Sequence, residues 1–220
     1  MTDYQLIRSQ RRTLSISIDG EGALVVHAPM RMSKREIEAF IREKEGWIAQ
    51  KQALVRHRIQ QADAARLRDG AQIPYRGGML TVRLEGVKKA EEQDGILTLS
   101  NDPDTLKQAL QWRRERAKQL VTPRVEAWAK ATGLQPSSIA YGNAKQRWGS
   151  MSSRRSLRLN AALIHLPPQL CDYVIVHELC HIVHPDHSPA FHALVRSILP
   201  GADQLRKQLK NWAYVLSIFR

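Results

Sequence analysis

Residues 167–181, PPQLCDYVIVHELCH, place two histidines and a glutamate at the end of a strongly apolar helical segment. The two prolines suit the first turn of a helix, because the first N–H groups of a helix have no partner within it. His177, Glu178 and His181 would be costly to bury on such a helix without a compensating role. The segment therefore predicts a buried helix that carries a functional site.

These three residues fit the pattern H-E-x-x-H. Residues i and i+4 lie on one face of a helix, about 6 Å apart, so the imidazoles of His177 and His181 can bind one metal ion. Glu178 projects roughly 100° around the helix from His177, where it can reach a water molecule at the metal without being a ligand. The pattern predicts a Lewis acid beside a general base.

A third ligand must come from the chain that follows this helix. Pro185 disfavours helical geometry at His184, so we expect the helix to end near this residue. Ser188–Pro189 fits the N-cap and first residue of a new helix. His187 is then held at a turn where it can fold back over the metal, and we expect it to be the third ligand. His184 is the alternative, because it lies one turn beyond the second histidine.

Three neutral imidazoles with one open position are typical of a catalytic zinc site, whereas structural sites are closed by four protein ligands. We therefore predict Zn²⁺ as the cofactor. His192 falls inside the following helix, and we expect it beside the site or at the surface.

Cys171 and Cys180 are nine residues apart on the predicted helix, roughly 13 Å, which is too far for a disulfide. We expect both thiols to pack in the core.

The chain is basic, with a formal net charge of +13. The excess lies mainly in residues 101–160, which hold twelve basic and four acidic side chains. A basic face attracts phosphate-bearing or acidic partners, so a nucleotide or nucleic acid is an alternative partner to a peptide or protein substrate. The arginines that could hold such a phosphate are Arg147, Arg154, Arg155 and Arg158. A basic surface with no such partner is the other interpretation.

The periodicity of apolar residues outlines the rest of the chain. It predicts a β-hairpin over 13–29, then one long helix from 34, or two helices with a break near Gly46, and short strands over 71–100. A second long helix over 103–131 contains Pro123, which should kink or split it. Two or three strands over 137–164 and a final helix from 202 complete the pattern.

We predict two parts, an N-terminal β-hairpin, long helix and small sheet (1–100) and a catalytic α+β domain (101–220). No apolar run approaches the ~20 residues that cross a bilayer. The first residues contain no apolar core of a secretory signal. We therefore expect no membrane association and a cytoplasmic location, while the oligomeric state stays open.

Several motifs in order resemble the YgjP-like metallopeptidase-domain family, which is related to the SprT and WLM zincins. They are RSQRRTLSISIDGEGALVVHAP near the N-terminus, RWGSMSS (147–153), RLN (158–160), PPQLCDYVIVHELCH (167–181) and HSPAFHALV (187–195). The resemblance implies a zincin-like, gluzincin-type catalytic domain with a zinc ion. It also implies His177, His181 and His187 as ligands and Glu178 as the catalytic glutamate.

Two positions depart from the usual family pattern. Met151 stands where the family commonly has cysteine, so no mechanism should depend on a thiol there, and His192 stands where the family has tryptophan. In the RWGS motif, Arg147 could polarise a carbonyl or bind an anion, and Trp148 could line a cleft. Packing at a strand-to-turn junction is the alternative role for both.

Together these features predict a zinc-dependent metallopeptidase. In this prediction, a metal-activated water hydrolyses peptide bonds, with Glu178 as its general base. The alternatives are a metal-dependent hydrolase of nucleoside triphosphates or other phosphoanhydrides, and a metalloprotease associated with nucleic acid.

Overall fold

The computed structural model describes residues 3–64 and 67–219, which form a mixture of helices and strands. The chain divides into two units, Met1–Gln61 and Ala62–Arg220. The sheet formed by residues 72–100 belongs to the second unit, where its apolar face shares a core with the helices that follow. The predicted boundary at residue 100 between an N-terminal part and a catalytic domain stays a prediction.

The first unit is a three-stranded sheet with two helices. Its elements are β1 (Tyr4–Ser9), β2 (Ser15–Ile18), β3 (Leu24–Pro29), α1 (Lys34–Glu43) and α2 (Glu45–Ala64). β2 and β3 pair antiparallel, which confirms the hairpin, and β1 pairs parallel to β3 as a further strand that the sequence pattern did not reveal. Leu24, Val26 and Ala28 alternate along β3 and form the buried face of this sheet.

Local sequence explains how α1 begins and where the helical stretch breaks. Ser33 and Glu36 form a capping box, in which the Ser33 hydroxyl accepts from the Glu36 N–H and the Glu36 carboxylate accepts from the Ser33 N–H. Such a box satisfies two backbone donors that a helix start leaves unpaired. The break falls at Lys44, two residues before Gly46, so the predicted stretch is two helices.

The second unit begins with a four-stranded sheet of order β4-β5-β7-β6. Its strands are β4 (Gln72–Tyr75), β5 (Gly78–Glu85), β6 (Glu91–Gln93) and β7 (Ile96–Ser100). Ile73, Leu80, Val82, Leu97 and Leu99 are buried from alternate positions of these strands, as expected for a sheet with one face in the core.

The long helix α3 (Thr105–Thr132) follows and runs without interruption through Pro123. Of the two predicted effects of this proline, the split is therefore wrong, and the kink stays a prediction. Proline removes one backbone hydrogen bond, but Val121 and Val125, two residues to either side, are buried in the core and hold both halves in place. α3 ends at Gly133, whose φ of 73° is the left-handed conformation typical of a residue after a helix.

Three strands and three helices complete the second unit. They are β8 (Ser138–Gly142), β9 (Gly149–Met151), β10 (Ser156–Asn160), α4 (Pro168–Cys180), α5 (Pro189–Ile198) and α6 (Ala202–Leu209), with 3₁₀ helices at Ala161–His165 and Lys210–Ser217. The sheet order is β8-β10-β9, so β9 is an edge strand, antiparallel to β10. Among the described residues, no helix is both long enough and apolar enough to cross a membrane.

Candidate metal centre

The predicted H-E-x-x-H segment lies at the end of α4, an apolar helix of the core. The helix starts at Pro168, as the two prolines predicted, and its last residue is Cys180, with His181 as the C-cap. The His184 N–H donates to the Cys180 carbonyl at 3.0 Å, so the chain keeps a helical turn beyond the cap. His181 therefore stays one turn from His177, and their ring centroids are 5.1 Å apart.

His187 folds back onto this pair, as the proline positions predicted. Its Nε2 atom is 3.1 Å from Nε2 of His177, and its ring centroid is 4.8 Å from that of His181. One nitrogen from each of the three rings lies within 4.8 Å of the others. Two nitrogens on one tetrahedral zinc ion lie roughly 3.4 Å apart, given Zn–N bonds of about 2.0–2.1 Å. The three histidines therefore could hold a metal ion.

The protonation of the rings suits metal binding. His181 Nδ1 donates to the His184 carbonyl at 2.9 Å, which leaves Nε2 of His181 free to act as a ligand. Burial lowers the pKa of His177 to about 4, with the nearby His181, His187 and His192 rings and Arg206 adding to the effect. Burial also lowers the pKa of His181. Neutral imidazoles are the form that binds metal.

Two other histidines of the cluster have different positions. The side chain of His184 is outside the group of three, and its contribution is the backbone carbonyl that orients His181. The His192 ring lies 6.2 Å from the His187 ring and lines the cleft over the site. The start of α5 explains this arrangement, because the Ser188 hydroxyl accepts from the Phe191 N–H and caps the helix as predicted.

Phe191 supports all three histidines, a role that the sequence pattern did not reveal. It is completely buried, and its ring stacks on His181 with centroids 4.5 Å apart. Its centroid lies 4.9 Å from His177 and 5.0 Å from His187, with the rings meeting edge to face. A rigid aromatic ring under three imidazoles limits their rotation. Its signal in the sequence is an apolar residue three positions after a helix N-cap.

Glu178 lies in the wall of the same cleft and is 7% exposed. Burial raises the pKa of its carboxyl to about 7, although the Arg147 guanidinium acts in the opposite direction. A carboxyl group with such a pKa can both accept and release a proton near neutral pH. The position beside the histidines and the cause of the shift fit a general base, as the sequence pattern predicted for this residue.

Gly149, at the start of β9, gives Glu178 its space. A Cβ atom at position 149 would lie 2.7 Å from Cγ and 2.8 Å from Oε1 of Glu178. Real Cβ atoms essentially never approach other atoms this closely, so only glycine fits without a shift. The RWGS motif thus contains a residue whose role the sequence pattern did not reveal.

Asn160 holds the loop that leads into β9. Its side-chain amide donates to the carbonyls of Ala144, at 2.8 Å, and Arg147, at 2.9 Å, while its backbone N–H donates to the Trp148 carbonyl at 2.7 Å. Its side-chain oxygen accepts from the Ala162 N–H at 3.0 Å. This buried asparagine, the last residue of the RLN motif, was not predicted as a site residue.

The cleft over the three histidines has a volume of about 750 Å³. Predicted residues in its lining are Arg147, Trp148, His177, Glu178, His181 and His187. Tyr173, Met151, Arg206 and Lys210 line it as well. The other arginines predicted to hold a phosphate, Arg154, Arg155 and Arg158, are exposed and do not line this cleft among the residues that the structure describes. Cys171 and Cys180 are buried free thiols, as expected.

Three histidine nitrogens beside a buried carboxylate, at the base of an open cleft, are the arrangement of a metal-dependent hydrolase. The family model for the YgjP-like metallopeptidase domain matches residues 12–212, and the chain belongs to this family. Membership confirms the resemblance of the motifs and implies a divalent metal ion and peptide or protein substrates.

One solved structure is also similar to part of this chain. It is the crystal structure of the metallopeptidase zymogen of Pyrococcus abyssi abylysin. The two sequences are 22% identical, the match covers 41% of this chain and 91% of the abylysin chain, and the TM-score is 0.38. Comparison with curated proteins gave no match.

Proposed function

We propose that the chain is a zinc-dependent metallopeptidase whose catalytic part, within residues 101–220, is a zincin-like domain of the gluzincin type. In this proposal His177, His181 and His187 bind zinc, and Glu178 is the general base. The observation that carries the proposal is the convergence of the three imidazole nitrogens, within 4.8 Å of one another, beside a buried glutamate in an open cleft.

The donor set favours zinc among divalent metals. Imidazole nitrogens suit zinc, whereas magnesium and calcium prefer oxygen ligands. Three protein ligands leave one position open, as in catalytic rather than structural sites. When bound, zinc supplies a Lewis acid that polarises the scissile carbonyl and makes water a stronger nucleophile at neutral pH.

Glu178 moves the proton in this mechanism. Its carboxylate accepts a proton from the attacking water and then donates that proton to the nitrogen of the leaving amine. Burial supports both steps, because it raises the pKa of the carboxyl to about 7. Gly149 supports the same role, since it leaves room for the carboxylate to lie in the cleft wall.

Edge strand β9 is the element that we expect to bind the substrate chain. Gly149–Met151 pairs with β10 along one edge and lines the cleft with the residues that precede it. An extended peptide can add to the edge of a sheet through main-chain hydrogen bonds. Arg147 and Trp148 line the cleft next to this strand and are our candidates for further substrate contacts.

The test is hydrolysis of a peptide panel by the purified protein, with and without a zinc chelator. We expect cleavage that the chelator abolishes and added zinc restores. Glu178→Gln keeps the shape of the side chain and removes its basicity, so it should retain zinc and lower kcat by about 10²–10⁴-fold. Full activity in Glu178→Gln would exclude this mechanism.

The same assay separates the alternatives that the basic charge suggested. Nucleoside triphosphates form a second panel, and chelator-sensitive phosphate release from them without peptide cleavage would assign the site to phosphoanhydride hydrolysis. Binding of short DNA that weakens steeply with salt would indicate the nucleic-acid-associated metalloprotease.

A further inference from the structure

The cleft over the histidines carries positive charge on two separate elements. Arg147 lies in the loop that precedes β9, Arg206 lies in α6, and Lys210 directly follows α6. All three side chains line the cleft. Among the described residues that line it, Glu178 is the one carboxylate, and it is 7% exposed. A substrate that enters the cleft therefore meets an excess of positive charge.

The basic side chains that line the cleft from α6 and the residue after it lie on one face of the helix. Arg206 and Lys210 are four residues apart, a spacing that brings side chains to one face of a helix. Lys207, the residue after Arg206, is exposed but does not line the cleft.

The acidic residue of α6, Asp203, does not line the cleft. Asp203 accepts from the Arg196 guanidinium of α5 at 3.4 Å, so its carboxylate is engaged by another arginine. Arg206 is exposed, and the structure shows no hydrogen bond or ion pair between its guanidinium and a described carboxylate. Its planar group of N–H donors matches a carboxylate in a paired, two-bond geometry.

We propose that the site selects peptides with aspartate or glutamate side chains close to the scissile bond, and that Arg206 determines this specificity. The inference rests on the proposed peptidase function and names its substrate class. Acidic side chains gain charge-assisted hydrogen bonds from the Arg206 guanidinium, whereas basic side chains are repelled by it. Arg147 adds positive charge from the β9 side of the cleft.

The test uses three fluorogenic peptides of equal length that differ only in acidic, neutral or basic residues around one scissile bond. We expect the wild-type protein to show a kcat/KM at least about tenfold higher for the acidic peptide than for the neutral one. Arg206→Glu should remove this preference, and the matched control Lys207→Glu, with the same change of charge on the same helix, should keep it. The preference should also decrease as salt screens the exposed charges.

A binding measurement separates this inference from the proposed function. Zinc-loaded Glu178→Gln, alone and combined with Arg206→Glu or Lys207→Glu, is titrated with the same three peptides, and binding is followed by fluorescence anisotropy. Equal cleavage of all three peptides would overturn the inference and leave the peptidase proposal intact. If no peptide is cleaved, the peptidase proposal fails, and the measured affinities for the three peptides then test the inference. Acid-selective binding that Arg206→Glu abolishes would support the inference. Equal affinities for the three peptides would overturn it.

Discussion

The side chain of Glu178, in α4, lies directly against the backbone of Gly149, the first residue of β9. A Cβ atom at residue 149 would approach Cγ of Glu178 to 2.7 Å and Oε1 to 2.8 Å. The candidate general base and the edge of the candidate substrate-binding strand are therefore in contact. Because of this contact, Gly149, a residue without a Cβ atom, is part of the candidate catalytic site.

We expect Gly149→Ala to lower kcat by about 10²-fold, because a displacement of about 1 Å of a catalytic group has an effect of that size. Zinc content should not change, since the three histidines do not depend on this contact. The matched control is Gly142→Ala in β8, where an added Cβ meets no atom within 4 Å. A wild-type kcat in Gly149→Ala would contradict a catalytic role for the buried carboxylate.

Zinc content should distinguish the histidines of the cluster. His187→Ala removes one of three candidate ligands and should lower zinc affinity by more than about 100-fold, more than the usual loss for a residue that only supports a ligand. His184→Ala keeps the backbone carbonyl that orients His181, so zinc should stay bound. His192→Ala should also retain zinc. The measurement is zinc per protein after equilibration in zinc-buffered solution, and zinc loss in His192→Ala but not in His187→Ala would reverse our ligand assignment.

Asn160→Asp tests how the loop before β9 is held. A carboxylate cannot donate to the carbonyls of Ala144 and Arg147, and it would repel both oxygens. We expect the free energy of unfolding to fall by about 2–3 kcal/mol, as for a buried hydrogen-bonding group left unsatisfied.

The same variant should raise KM, because Arg147 and Trp148 line the cleft from the loop that Asn160 holds. Urea denaturation gives the stability, and steady-state kinetics gives KM separately from kcat. The control is Asn101→Asp, the same chemical change on an exposed side chain. An unchanged KM would show that Asn160 supports only the fold.

His165 should make stability depend on pH. It is completely buried, its Nδ1 donates to the Pro74 carbonyl at 2.7 Å, and burial lowers its pKa to about 3, with the Arg113 charge adding to the effect. Between the folded pKa and the unfolded value near 6.5, the unfolded chain binds a proton that the folded protein does not. The contribution of His165 to the free energy of unfolding should therefore be fully present above pH 6.5. It should fall as the pH decreases below this value, by up to about 1.4 kcal/mol per pH unit.

The measurement is urea denaturation of the wild type and His165→Gln from pH 4 to pH 7. The difference between the two proteins removes the contribution of the other titrating groups. We expect the wild type to lose stability more steeply than the variant as the pH falls. Parallel curves would mean that His165 can be protonated in the folded protein.

Short-range patterns were sufficient for much of the fold and of the candidate site. Helical periodicity brought His177 and His181 together, and the prolines around His187 predicted the turn that returns it to them. The cap at Ser188 and the hairpin of β2 and β3 were predicted in the same way. Each of these features is decided within a few residues along the chain, by backbone geometry or by a single capping hydrogen bond.

Other features required the folded chain, because they depend on residues that are distant in sequence. The sequence by itself determined which residues could bind a metal. Only the tertiary structure placed Gly149 against Glu178, Phe191 beneath the histidines and Arg206 in the cleft wall. It likewise kept α3 continuous through Pro123, where core packing outweighs one lost hydrogen bond. The physical reason is that spacing along a helix is a local property, whereas the space around a side chain is decided by every element that packs against it.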